Sequence, residues 1–223
     1  MRTPEAIPVA ELPEGVERRS FDGREFLATR GEAVSDEPTD GEWRAWDPHR
    51  SKLGAMHELG FDTDMAGGPN ERVLYLGAAS GTTASHVADF AGPTYAVEFA
   101  PRPARTLVAV AESRPRLFPI LADARRPAAY GHVVEADLEY VVQDVATRGQ
   151  ARVANENRRF LADDGRLLLA IKARSEDVTR DPDAVYDDVL EELETTYEVL
   201  ETDDLEPYHR DHLGVVARPI SDG

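Results

Sequence analysis

The stretch that most constrains this chain is VLYLGAASGTT, residues 73–83. An apolar run of Val73, Leu74, Tyr75 and Leu76 stops at Gly77, and a small-residue loop carrying Gly81 leads into Thr82 and Thr83. That order predicts a strand, a glycine-rich turn and the start of a helix. Glycines let a ligand approach the backbone closely, and the first helical N–H groups are unpaired donors. The natural guest is a nucleotide-like molecule with acidic or hydroxyl groups. Many α/β domains use the same turn only to pack helix against strand, so the neighbouring residues have to decide.

Two neighbours sharpen the reading. The next expected strand, residues 94–99, contains Glu98, about twenty residues beyond the loop, where a nucleoside-binding fold carries the carboxylate that grips ribose hydroxyls. The loop reads G-A-A-S-G and not G-x-G-x-x-G, so the glycine that admits a pyrophosphate is missing. A ligand without pyrophosphate fits better, S-adenosyl-L-methionine being the common one, and an NAD-linked oxidoreductase fits worse.

Along the chain, residues 1–48 read as a small antiparallel β appendage. Short β-compatible pieces (16–21, 25–29, 43–46) alternate with turn signals at Asp22-Gly23, Gly31 and Asp40-Gly41. Residues 35–40 are acidic, contain a proline and read as a loop. WRAWDPHRSKL, residues 43–53, gathers Arg44, His49, Arg50 and Lys52 beside Trp43 and Trp46. Cations beside flat rings suit a nucleic-acid surface, and equally a tryptophan-anchored linker that docks the appendage.

From the nucleotide loop onward strand and helix alternate, which predicts an α/β domain over 49–223. Helices are expected at 83–91, 101–114 and 147–161, with another capped by Asp181-Pro182. Strands are expected at 117–121, 138–143 and 166–172, with a turn at Asp163-Asp164-Gly165. Residues 197–205 and 212–218 form a terminal hairpin across EPYHRD. Polar residues thus fall where strands end: Gly77, Glu98, Asp123, Asp144 and Lys172. In open α/β sheets the ligand lies outside the carboxyl ends of the strands, so these positions converge on one crevice. There Asp123, next to Ala124, can accept from an exocyclic amine of adenine and Phe99 can stack on the ring; taken singly, an aspartate capping the following turn and a phenylalanine in the core fit the sequence equally well.

Composition bounds the rest. The 223 residues allow one good core. No apolar window reaches the length of a membrane span and Met1-Arg2-Thr3-Pro4 begins no signal peptide, so a cytoplasmic protein without membrane association is expected. There is no cysteine, and the six histidines show no paired ligand spacing, so no metal site is expected. Against 43 acidic residues stand 25 basic ones, a net charge of −18 that opposes unaided binding to nucleic acid. Lysine occurs only at Lys52 and Lys172; every other cation is arginine. This pattern reads as halophilic, because at molar salt the Debye length falls to about 3 Å and only charges at contact distance still matter.

Taken together, WRAWDPHRSKL, VLYLGAASGTT, AVEF, ADAR, QDVA, IKARS and LEPYHRDH resemble fibrillarin, the methyltransferase of box C/D ribonucleoproteins, over residues 43–218. With no Gly/Arg-rich tail ahead of the domain, the resemblance is to the archaeal form. It implies a Rossmann-like S-adenosylmethionine-dependent methyltransferase fold ending in an antiparallel strand, here behind a small N-terminal β appendage. The implied activity is methylation of ribose 2′-hydroxyls in rRNA and tRNA. The implied partners are a Nop-type scaffold protein and a box C/D guide RNA whose kink-turn is held by a small ribosomal-type protein.

Residue by residue, the family's Lys-Asp-Lys-His constellation falls on Lys52, Asp144, Lys172 and His212. Its cofactor contacts fall on Thr82, Thr83, Glu98, Phe99, Asp123, Ala124 and the segment Asp144, Val145, Ala146 and Thr147, beside the loop glycines Gly77 and Gly81. The family commonly has glutamine where this chain has Thr147, so any contact made by that amide is shortened, replaced or lost. A ribose hydroxyl is a poor nucleophile near neutral pH, and a lysine beside a like charge suits the task of taking its proton. Lys172 is the first candidate for that base, with Lys52 and His212 positioning the ribose, though sequence alone does not decide which group accepts the proton. Two rivals stay open: a methyltransferase acting on a protein or small molecule, and a scaffold subunit of a ribonucleoprotein that no longer uses the cofactor.

Overall fold

A computed structural model describes residues 11–220; the first ten residues of the expected appendage and the last three of the chain lie outside the described residues. The sheet that organises it is built on β5 (Val73–Leu76), whose four side chains are all buried. Successive strand residues point to opposite faces, so Leu74 and Leu76 enter one hydrophobic cluster while Val73 and Tyr75 enter another. A strand apolar on every residue is what a sheet covered on both faces requires.

Four strands precede β5 in the chain: β1 (Glu17–Phe21), β2 (Arg24–Arg30), β3 (Thr39–Asp40) and β4 (Trp43–Trp46). They form an antiparallel sheet in the order β1-β2-β4-β3. β3 falls inside the stretch expected to be a loop. After β5 come β6 (Thr94–Glu98), β7 (Leu117–Leu121), β8 (Leu138–Gln143), β9 (Leu161–Lys172), β10 (Tyr197–Asp204) and β11 (His212–Pro219). The seven-stranded sheet runs β10-β11-β9-β8-β5-β6-β7. Its five central and edge strands β5 to β9 pair in parallel, and the terminal hairpin adds β11 antiparallel to β9.

Helices α1 (Lys52–Leu59), α2 (Thr82–Phe90) and α3 (Pro101–Ala111) supply Leu53, Met56, Ala84, Val87, Leu107 and Val110 to one face of the sheet. Helices α4 (Gln150–Asn157) and α6 (Pro182–Leu193) cover the other face with Ala151, Val153, Val185, Val189 and Leu193, and the one-turn α5 (Ala173–Glu176) follows β9. The expected helix over 147–161 is shorter because Gly149 stands at its N-cap and the chain tightens into a 3₁₀ turn over Arg158–Phe160. The expected turn at 163–165 is instead part of β9, where the extra residues are absorbed as an irregularity in its pairing with β8.

The sequence did not predict α1, because eight residues interrupted by Gly54 give little helical signal. Tertiary packing explains that glycine: a Cβ on Gly54 would lie 2.9 Å from Trp46 Nε1. Ser51 caps the helix by accepting from Gly54 N.

The small N-terminal sheet shares its core with the large one, since Val16, Leu27 and Trp46 belong to the cluster that contains Val73 and Tyr75. This corrects one of the two readings of WRAWDPHRSKL. Arg44 and Trp46 do not face nucleic acid: both are fully buried. Arg44 pairs with Glu37 at 2.9 Å and with Asp89 at 2.8 Å and donates to Ser85 Oγ at 2.8 Å. Asp89 is also paired with Arg114 at 3.1 Å, so α2 is clamped to the N-terminal sheet through a buried network of opposite charges. Trp46 stacks on His86, with ring centroids 5.1 Å apart.

His57, on α1, meets the Trp46 ring edge-on and its Nε2 has no hydrogen-bond partner among the described residues. Burial lowers its pKa from the ordinary 6.5 to about 4. A histidine kept neutral in the fold and free to protonate when unfolded stabilises the protein fully above its unfolded pKa, and that contribution is lost as the pH falls toward 4. At about 1.4 kcal/mol per pH unit the loss amounts to about 3 kcal/mol. Denaturant titrations at pH 7 and pH 4.5 in high salt should therefore show wild type losing more stability on acidification than His57→Leu, and equal losses would remove His57 as a source of acid sensitivity.

Candidate active site

From β5 the chain moves outward through β6 to β7, then returns to lay β8 and β9 on the other side of β5. The order reverses between β5 and β8, and at such a switch point the carboxyl ends of the strands leave a crevice. Gly77 ends β5 there with φ of +84°, a left-handed conformation that other residues adopt only with strain. A Cβ on Gly77 would sit 2.3 Å from the carbonyl oxygen of Asp144, which follows β8. Asp144 N in turn donates to Leu76 O at 2.9 Å, so the two strand ends are held against each other.

The crevice is a cavity of about 420 Å³. It is lined by Gly77, Ala79, Glu98, Phe99, Asp123, Ala124, Arg125 and the run Asp144–Thr147, with Val97, Ala122 and Val153 behind them. Glu98 is buried and its carboxylate is already oriented: one oxygen accepts from Ala79 N at 2.8 Å and the other from Ala100 N at 2.6 Å. Each carboxylate oxygen keeps a lone pair for a hydroxyl donor. Phe99 is 65% exposed, unusual for a phenylalanine and suited to a flat ring laid upon it. The Asp123 carboxylate takes a forked contact from Arg125, Nη2 to Oδ2 at 2.8 Å and Nε to Oδ1 at 2.9 Å. This contact holds the Asp123 carboxyl below the usual carboxylate range. The Arg125 guanidinium also lies over the Phe99 ring, 5.9 Å from its centroid.

At the rim of the cavity Lys52 Nζ lies 3.0 Å from Asp144 Oδ2. Asp144 therefore belongs both to the cavity wall and to an ion pair with the first residue of α1. Lys172 ends β9 and stands in register with His212 on β11. Its backbone is bracketed by the fully buried Gln150, whose side chain accepts from Lys172 N at 2.9 Å and donates to Lys172 O at 3.1 Å. His212 Nδ1 is 2.7 Å from Arg210 O. A carbonyl only accepts, so Nδ1 carries the hydrogen and Nε2, buried and without a partner among the described residues, is left as an acceptor. Burial pushes the His212 pKa down, which keeps the ring neutral.

Of the residues expected from sequence, Gly77, Glu98, Phe99, Asp123, Ala124, Asp144, Val145, Ala146 and Thr147 line the cavity. Gly81, Thr82 and Thr83 do not; they form the N-cap and first residues of α2, and Thr83 is buried. Sequence reasoning missed Ala79 and Arg125. The signal for Arg125 stood two residues after Asp123 in the ADAR motif, but its fold back onto that carboxylate is a matter of loop geometry. Gln150 was missed because a buried amide carries no sequence mark.

The seven-stranded sheet with this crevice is the Rossmann-like fold of S-adenosylmethionine-dependent methyltransferases. The fibrillarin family model matches residues 21–220, and the chain belongs to the fibrillarin family. It is 68% identical over 211 residues to the fibrillarin-like rRNA/tRNA 2′-O-methyltransferase of Haloarcula marismortui, covering 95% of this chain and 99% of that protein. Fibrillarin in the solved fibrillarin/Nop5p complex superposes with a TM-score of 0.86 at 35% identity, covering 94% of this chain and 100% of that one. Aeropyrum pernix fibrillarin, solved with natively bound S-adenosyl-L-methionine, gives a TM-score of 0.78 at 39% identity, with 96% and 99% covered.

Because the Gly77 backbone is left-handed and pressed on Asp144 O, Gly77→Ala should destabilise the protein by about 1–3 kcal/mol from backbone strain alone, and by more if β8 has to move. Thermal unfolding followed by circular dichroism checks this, and an unchanged midpoint would mean that the strand ends are less tightly apposed.

Proposed function

We propose that this chain methylates ribose 2′-hydroxyls in rRNA and tRNA with S-adenosyl-L-methionine, directed by a box C/D guide RNA within a ribonucleoprotein. The observation that carries the reading is Asp144, which is at once part of the nucleoside-sized cavity and ion-paired with Lys52. In this reading residues 49–223 hold the chemistry and the N-terminal sheet braces them. In this reading the protein works in the cytoplasm. Among the described residues no helix is long and apolar enough to cross a membrane.

The residues present fit the cofactor. Glu98, with two oriented carboxylate oxygens, would hold the ribose, Asp123 with Ala124 would meet the adenine edge, Phe99 would offer its face, and the run Asp144–Thr147 would line the remaining wall. When bound, S-adenosylmethionine supplies a methyl group on a positively charged sulfur. Asp144 orients the Lys52 ammonium at the rim, where it can hold the target ribose. Lys172 takes the 2′-hydroxyl proton as the oxygen becomes the nucleophile, and His212, in register with Lys172, helps to position the ribose. Thr147 offers a hydroxyl where a longer amide is usual in the family.

The acidic balance of the chain points to assisted RNA binding: at net −18 it has too little cationic surface to hold RNA by phosphate attraction. A Nop-type scaffold and a guide RNA whose kink-turn is held by a small ribosomal-type protein would supply that surface. The relative solved with Nop5p supports this choice of partner.

Labelled-methyl transfer in high salt tests the proposal. The purified chain alone should leave naked RNA unmodified, and adding scaffold and guide should switch on methylation at one nucleotide set by the guide; efficient guide-independent transfer would overturn the partner dependence. Lys172→Arg keeps the charge but cannot act as a base, because guanidinium stays protonated. It should slow single-turnover transfer about a hundredfold or more with cofactor affinity unchanged, and Lys52→Arg should cost less. Wild-type turnover by Lys172→Arg would move the base elsewhere.

A further inference from the structure

The loop between β10 and β11 is tied to both lysine-bearing segments, and the chemistry proposed above uses neither tie. On one side Ala173 N, next to Lys172, donates to Asp211 O at 3.2 Å, and Arg174 Nε donates to the Asp211 carboxylate at 3.0 Å. On the other side His209 Nε2 lies 2.7 Å from Pro48 O. Beside that contact the His49 and Tyr208 rings meet edge-on, with centroids 5.0 Å apart. The loop also holds its own shape: Tyr208 N and His209 N both donate to Leu205 O at 2.9 Å, and Leu205 N donates to His212 O at 3.0 Å.

A carbonyl oxygen only accepts, so His209 Nε2 carries the hydrogen in this contact. Burial, helped by the charge on Lys52, pulls the His209 pKa below its ordinary value and keeps the ring neutral, so a single tautomer is selected. The carbonyl that it clasps sits in a tight turn. Arg50 N donates to Asp47 O at 3.0 Å, and His49 N donates to Asp47 Oδ1 at 2.9 Å. That turn runs through the cap Ser51 straight into Lys52, the first residue of α1. Any slide of the turn would carry the Lys52 ammonium away from its 3.0 Å contact with Asp144.

We propose that His209 is a positioning residue: by holding the Pro48 carbonyl it sets where α1 begins and so keeps Lys52 on Asp144, while Asp211 ties the same loop to the Lys172 segment. The inference rests on the proposed role of Lys52.

Single-turnover transfer in the complex assembled with scaffold protein and guide RNA, at saturating S-adenosylmethionine, tests it. A glutamine side chain carries its Nε2 at the same bond count from Cβ as histidine does, whereas asparagine is one bond shorter. His209→Ala and His209→Asn should slow transfer about tenfold, since small misplacements of a reacting group are costly. His209→Gln should restore most of the rate, and cofactor affinity by calorimetry should stay unchanged in all three. The double variant Lys52→Ala/His209→Ala should be no slower than Lys52→Ala, because His209 acts through Lys52. Wild-type rates for His209→Ala and His209→Asn, no rescue by His209→Gln, or fully additive losses would each overturn the proposal. If Lys52→Ala is slow while His209→Ala is not, only the positioning role falls. If Lys52→Ala itself keeps the wild-type rate, the reading of Lys52 fails and takes the positioning role with it.

Discussion

The close contact between the ends of β5 and β8 sets the rest of the architecture. Gly77 lies so near the Asp144 carbonyl that no side chain fits between them, and the Asp144 N–H is bonded to Leu76 O. That contact brings the glycine loop, the cavity and the Asp144 carboxylate to one point. It exists because the strand order reverses there, leaving the outer ends of two neighbouring strands free of the connections that cover the other strand ends. Glu98 reaches the same point from β6 and is held by two backbone N–H groups, so the cavity wall is oriented before any ligand arrives.

Burial on both faces makes this arrangement rigid. The alternate residues of β5 and β9 feed two separate clusters, one under α4 and α6, the other under α1, α2 and α3. The N-terminal sheet closes the second cluster, with Trp46 inserted and Arg44 clamped between Glu37 and Asp89. Breaking one partner of such a buried network would strand a charge in low dielectric, which ties the small sheet to α2 more firmly than its area alone would.

Charge is distributed with the same economy. Many arginines are committed to acids of the chain itself, as Arg72 is to Glu135 and Glu139, and Arg125 is to Asp123. Cations committed to internal pairs do not build a surface for phosphates, which fits the proposal that scaffold and guide present the RNA. Lysine, more heavily hydrated than arginine, appears only at Lys52 and Lys172. Both stand at the carboxyl-end side of the sheet, one paired with Asp144 and one in register with His212.

Residue order alone was enough to read the alternating α/β domain, the strand–loop–helix at 73–83, the terminal hairpin and the row of polar residues at strand ends. These are local signals: periodicity, turn residues and the abrupt stop of an apolar run at Gly77. The motifs also carried the family, since their combination along the chain is specific even where each one is weak. What the linear order could not supply depends on contacts between distant segments. Helix α1 was invisible because Gly54 is there to fit against Trp46, and Arg44 looked like a surface cation because its acids lie on other elements. Thr82 and Thr83 sit beside the loop in sequence yet start α2 outside the cavity, whereas Arg125 folds back onto Asp123 to line it. The clasp from His209 to Pro48 spans most of the chain, and only the closed fold brings its two atoms within reach.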